Sequence, residues 1–132
     1  MSDNDTFPEV LSTVYHALSA SRRCYAILIL AETDDELSVR ELSRRITATE
    51  EGVSLSRATG EPYRNVYNAL SQTHLSTLED AGIINYDSDR QIVTAGPNFT
   101  TAVLLIRLNQ TAYRTLQNED IPDIDDILDP SI

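Results

Sequence analysis

The chain has 132 residues, one cysteine and a formal net charge of −11, and all ten of its basic residues are arginine; this suits one domain with a real core and no internal disulfide. No Cys/His cluster has metal-ligand spacing, no apolar run approaches the roughly 18–20 residues that cross a bilayer, and the acidic start lacks the basic and apolar regions of a signal peptide, so a cytoplasmic protein without a cofactor is expected. The charge at first argues against a nucleic-acid partner, but residues 1–9 and 119–132 hold nine of the 21 acids, which leaves 12 acids against ten arginines in between.

Residues 1–6 are polar and read as disordered. Pro8 suits a first helical turn, and a helix is predicted over residues 7–20 with Val10, Leu11, Val14, Ala17 and Leu18 inward. A second helix follows over residues 21–32. Its Tyr25–Ala31 run is apolar almost all round and belongs at the centre of the core. Arg22 and Arg23 at its start fit either a phosphate contact or a structural salt bridge, and Cys24 reads as a buried, inert thiol ahead of a redox sensor, for which only the two neighbouring arginines speak. Residues 33–36 read as a turn. Ser38, with Glu41 three residues on, has the spacing of a capping box and opens a third helix to about residue 50. Val39, Leu42 and Ile46 face inward there, and Arg40, Arg44 and Arg45 outward. Residues 51–60 form a loop longer than the turn of a minimal helix-turn-helix.

A fourth helix over residues 61–80 has Pro62 in its first turn and stops at Ala81-Gly82, where glycine can take the left-handed cap conformation. Two short β-rich runs around Asp87-Ser88-Asp89-Arg90 read as a hairpin, residues 83–94. Gly96-Pro97 breaks the chain before a fifth helix, residues 98–117, with a broad apolar surface. Pro122 and Pro130 argue against stable structure in the acidic tail, residues 118–132. The folded domain is thus expected over residues 7–117.

The fourth helix carries the functional signal. At about 100° per residue, Tyr63, Val66, Tyr67, Leu70, His74, Leu78 and Ala81 share one side and Leu75 lies on its border. Arg64, Asn65, Asn68 and Gln72 face the other way. Arginine can bond guanine edges at two points, and asparagine or glutamine can do the same for adenine. A plainly solvated helix can also present such a face. The following hairpin and the outward arginines of the third helix favour DNA. Arg44 and Arg45 suit backbone phosphates, although Glu41 and Glu50 are available as surface partners. Arg90 at the hairpin tip fits a wing contact or an ordinary exposed turn. His74 fits a packed core residue better than a ligand. No phosphate loop, Ser/His/Asp set or carboxylate pair points to an enzyme.

Three blocks carry a family resemblance: Arg22-Arg23-Cys24-Tyr25-Ala26-Ile27, then Ser38–Ile46 as "sxxELSxxI", then Tyr63–Asp87 as "YxxVYxxLxQTHLxxLExxGIIxYD". Over about residues 10–95 the chain resembles haloarchaeal winged-helix regulators related to the ArsR and PadR types, and its lysine-free, acidic composition resembles proteins of salt-loving archaea. The resemblance implies a winged helix-turn-helix, mainly α with a small β-hairpin wing, that binds DNA as a homodimer. Ser76 stands where relatives often have proline, and the metal-sensing cysteines and histidines of ArsR types are missing. The expected protein is a transcriptional regulator on a pseudopalindromic promoter site, reading with residues 62–80. An added C-terminal dimerisation helix would use Val103, Leu104, Ile106, Leu108 and Tyr113. Bound potassium or sodium ions would bridge acids to phosphate at the DNA interface. The alternative is a winged-helix module that binds protein and not DNA.

Overall fold

A computed structural model of the protein describes residues 6–34 and 36–118. The disorder expected at the extreme N terminus and in the acidic tail falls on residues outside this range, apart from Thr6 and Asn118. The elements run α1 (Phe7–Ala17), α2 (Ser21–Ala31), β1 (Glu36–Ser38), α3 (Val39–Glu51), α4 (Gly60–Ala69), α5 (Leu75–Asp80), β2 (Ile84–Asp87), β3 (Ile92–Ala95) and α6 (Phe99–Gln117). A single 3-10 turn, Leu55–Arg57, lies in the loop before α4, and a π-helical segment, Leu70–His74, joins α4 to α5. The chain is mainly helical, with a small antiparallel sheet behind the helices, in a winged-helix-like layout.

Local chemistry accounts for most boundaries. Glu9 accepts the Thr6 N–H at 3.2 Å and Pro8 sits in the first turn, so α1 begins where an orphan N–H is satisfied and a missing one costs nothing. α1 stops at Ala17, three residues short of expectation, and the Ser19 hydroxyl donates to the His16 carbonyl at 2.6 Å. Ser38 caps α3 by accepting the Glu41 N–H at 3.1 Å. The expected box closes only halfway, because the Glu41 carboxylate turns to Arg44 and Arg45 instead.

The sheet departs from the sequence reading. β2 and β3 form the expected hairpin, but β1 adds a third strand on the far side of β3, in the order β1-β3-β2. Leu37 lies opposite Val93, and Tyr86 lies opposite Val93 from the other side. The turn read before α3 is therefore partly strand. Three residues are too few for an alternation to show, and their hydrogen bonds go to a strand more than 50 positions away.

α4, the π segment and α5 make one continuous helical rod, since every junction residue keeps right-handed helical backbone angles. Buried positions along it step from Val66 to Leu70, then to Leu75 and Leu78. The five-residue step spans the π segment, whose wider turn adds one residue and returns Leu75 to the core side. At a uniform helical pitch Leu75 would stand on the border, as the sequence suggested; here it is fully buried. Around it the core gathers Val14 and Ala17 from α1, Ala26, Ile27 and Leu30 from α2, Leu42 and Ile46 from α3, and Ile83, Ile84 and Val93 from the sheet region.

Two glycines lock the end of the rod to the start of α6. Gly82 takes φ +72°, the left-handed stop, and its N–H reaches the Glu79 carbonyl at 2.9 Å. A Cβ on Gly96 would lie 2.6 Å from the Gly82 carbonyl oxygen, so only glycine allows this approach. Asn98 completes the joint, its backbone N–H on the Gly82 carbonyl at 2.7 Å and its side chain on the Ala81 carbonyl at 3.0 Å.

Candidate nucleic-acid interface

α3 and α4 pack directly against each other, which brings the start of α3 beside the outer face of α4. Arg64, Asn65, Asn68 and Gln72 are all exposed, as expected of a free face. Arg40, Tyr63, Arg64, Tyr67 and Asn68 line an open groove of about 300 Å³. The groove thus has two cations and no carboxylate on its wall. Among the described residues, neither Arg40 nor Arg64 has an ion-pair partner, and neither does Arg57 in the preceding loop.

The other arginines are differently engaged. Arg45 pairs with Glu41 at 3.1 Å, and Arg44 reaches the same carboxylate at 3.5 Å. Arg44 also donates to the Leu55 carbonyl at 3.2 Å, holding the loop against α3. Both remain about a third exposed or more, with their charge partly spent on one glutamate. Arg90 stands at the hairpin tip with Asp87 and Asp89 beside it in sequence and the Glu36 carboxylate 4.0 Å away. The hollow beside the hairpin is lined by Glu36, Glu79 and Asp87 with Arg90, so this wing is acidic on that side.

A residue with no signal in the sequence ties the wing to the rod. Gln91 has positive φ, 56°. Its side-chain oxygen accepts from the Tyr67 hydroxyl at 2.9 Å, while its amide donates to the Tyr86 hydroxyl at 3.0 Å and the Ser88 carbonyl at 2.8 Å. Its backbone carbonyl accepts the Val39 N–H, one of the orphan donors at the start of α3. One glutamine therefore joins α3, α4 and the hairpin. Glu79 adds a second tie by accepting the Tyr86 N–H at 2.9 Å.

Arg22 and Arg23, at the start of α2, divide. Arg22 makes a two-point ion pair with Glu50, at 2.8 and 3.0 Å, which raises its pKa further and joins α2 to the end of α3. Arg23 is 8% exposed. It donates to the Ala17 carbonyl at 2.6 Å and the His16 carbonyl at 3.4 Å, so it neutralises the carbonyl end of α1. Its third contact is the His74 Nδ1 at 3.1 Å. Arginine has only donors, so Nδ1 must be the acceptor and His74 carries its proton on Nε2. Burial first, and then the Arg23 and Arg22 charges, hold the His74 pKa below its ordinary value, with Glu50 opposing. Both arginines are structural, and His74 is a packed side chain in the π segment. Burial also pushes the Cys24 thiol pKa up, against the opposing Arg23 charge, which disfavours the thiolate.

The expected dimer contacts separate into two groups. Ile106 packs into the protein's own core at 7% exposure, and Val103 is half-buried against that core. Leu104, Leu108 and Tyr113 are 56%, 65% and 64% exposed, and Leu116, which lies further along, is 53% exposed.

An α-helical core, a three-stranded sheet carrying the β2–β3 hairpin and an exposed face on α4 give a winged-helix-like layout. Residues 15–94 match the family described as a domain of unknown function, DUF7344, and because the match covers more than half of the 132 residues the chain belongs to that family. The matched segment runs from α1 to β3 and ends before α6. No curated protein matches the chain.

Proposed function

We propose that the protein is a sequence-specific, double-stranded-DNA-binding transcriptional regulator that acts as a homodimer. The observation that carries this reading is the cationic, amide-bearing face of α4 and the π segment that continues it: Arg64, Asn65 and Asn68 on α4 and Gln72 on the π segment are exposed, and Arg40 stands across a groove with no carboxylate on its wall. A rod of this kind lies in the major groove with its first turns toward the bases. Arg64 then reads guanine, and the amides read adenine. Arg40 and Arg57 take backbone phosphates, with Arg44 and Arg45 in support. The wing contributes little through Arg90, which shares its side of the hairpin with three carboxylates.

The dimer rests on α6. Its second half carries Leu108, Tyr113 and Leu116 largely in water, and a lone three-turn helix is marginal without a partner surface. A two-fold dimer would present two copies of α4 to successive major grooves on a pseudopalindromic site. In concentrated salt, where counterion release no longer drives binding, base contacts and alkali cations bridging acids to phosphate would matter more.

The test is a gel shift with a folded Arg64→Ala/Asn68→Ala/Gln72→Ala variant. With about 1–3 kcal/mol per two-point base contact, its affinity for the preferred site falls at least roughly 100-fold. Unchanged affinity would remove the reading-head role. The acidic hollow beside the wing favours a second reading, a module that binds a basic protein segment; binding without site preference, by wild type and triple variant alike, would select it.

A further inference from the structure

Arg64 and Asn68 stand one helical turn apart on the outer face of α4, and an aromatic row runs beside them. Tyr63 and Tyr67 are half-buried, with ring centroids 6.0 Å apart and planes tilted by 38°. Each tyrosine immediately precedes one of the two outward residues, so the aromatic row lies about 100° around the helix from the polar row. Tyr67 is held from two directions. It packs against the core, and its hydroxyl donates to the Gln91 Oε1 at 2.9 Å, on the side of the hairpin.

Both rings line the groove that Arg40, Arg64 and Asn68 complete. Its wall is more apolar than polar, although two guanidinium groups and an amide border it. The cations suit a polyanion. The ring carbons offer no hydrogen bond to a base edge and favour an apolar group that they can cover. The apolar group that duplex DNA presents among its base edges in the major groove is the thymine 5-methyl. The spacing agrees. Four residues of helix advance about 6 Å and successive base pairs about 3.4 Å, so Arg64 and Asn68 reach bases about two steps apart. The midpoint of Tyr63 and Tyr67 falls between those two levels, at the intervening base pair.

We propose that Tyr63 and Tyr67 form a thymine-methyl site, which selects an A·T pair between the bases read by Arg64 and Asn68. This rests on the DNA-binding reading above and deepens it. The arginine and the amide choose their bases by hydrogen bonds; the rings choose thymine over cytosine, which lacks the methyl group. Gln91 already fixes Tyr67, so the contact orders little on binding. A residue of the wing thereby serves base selection without touching DNA.

The test uses the full chain and a site selected from a random pool of duplexes. The bases at which Arg64→Ala and Asn68→Ala relax selectivity mark the two outer positions. Each thymine of the site is then replaced in turn by deoxyuridine, which removes only the methyl group. Wild type loses about fourfold in affinity at the thymine between the marked positions, as for one uncovered methyl, and Tyr63→Ala binds the thymine and uracil duplexes equally. Equal wild-type affinity for thymine and uracil at every position would overturn the proposal and leave the DNA reading standing. A fourfold loss that persists in Tyr63→Ala would also overturn it, by moving the methyl contact off the rings. A pool that yields no preferred site would overturn both.

Discussion

Replacing Arg23 by methionine tests whether the buried guanidinium holds the α4–α5 rod in place. Methionine keeps much of the side-chain volume and removes the charge. The change leaves the Ala17 carbonyl and the His74 Nδ1 without their donor. Hydrogen bonds to a charged group contribute about 1.5–3 kcal/mol each, and relief from burying an arginine offsets part of that. A net loss of about 2–3 kcal/mol follows, or about 8–12 °C in melting temperature for a domain of this size. Arg22→Met is the control. Its pair with Glu50 is about a third exposed, and such a pair contributes about 0.2–1 kcal/mol. Circular dichroism melts and urea midpoints on both variants give the comparison. A loss for Arg23→Met no larger than for Arg22→Met would refute the reasoning. A pH arm adds a second check. The folded His74 pKa lies below the ordinary 6.5 because of burial and the neighbouring arginines, so the unfolded chain binds the proton first. Stability is complete above about pH 6.5 and declines as the pH falls through 6.5 toward the depressed folded value. In Arg23→Met the Arg23 repulsion is gone and burial remains, so this decline becomes shallower.

Other perturbations address the joint, the wing and the two faces. Gly96→Ala forces a methyl group to within 2.6 Å of the Gly82 carbonyl and lowers stability by about 2–3 kcal/mol in a thermal melt; a neutral result would mean that the two backbones are free to separate. Gln91→Ala removes the bridge between Tyr67 and Tyr86, costs about 1–2 kcal/mol and raises hydrogen exchange at the β2 and β3 amides, which should otherwise exchange as slowly as in wild type. Leu104→Glu/Leu108→Glu alters exposed sites and changes the melt of the monomer by less than about 1 kcal/mol; if the proposed dimer rests on α6, sedimentation shifts from dimer in the wild type to monomer in the variant, and a dimer that persists would move the self-association off α6. Arg40→Gln lowers the slope of log affinity against log salt by about 1 if Arg40 takes one phosphate, and an unaltered slope would take it off the DNA backbone.

The helices could be read because each carries its own signal. The Val66-to-Leu70 face, the Ser38 cap and the Gly82 stop are all local, and so they survive without knowledge of the fold. The outward arginine and amides of α4 could be read for the same reason. The missing features all depend on partners far along the chain. β1 is a strand only because Val93 lies opposite Leu37. The π segment appears only as a five-residue step between buried leucines, which a fixed helical pitch hides. Gln91 looks like the first residue of a strand, and nothing nearby announces Tyr67 or Val39 as its partners. Ile106 and Leu108 are equally apolar in sequence, yet α2 buries one and leaves the other in water. Arg22 and Arg23 show the same limit, since only the fold decides which of two adjacent arginines reaches Glu50 and which reaches the end of α1.

The contact between Gly82 and Gly96 leaves no room for a hinge. The rod ends and α6 begins within a joint held by three hydrogen bonds and two touching backbones. α6 therefore points in one direction relative to α4, as a bracket welded to a beam. If the protein binds DNA as proposed, as a dimer joined through α6, the distance between the two α4 faces would be built into each subunit before DNA is met. Such a protein would measure as well as read: inserting even two base pairs between half-sites would turn one face away from its groove, with no flexible linker to follow it.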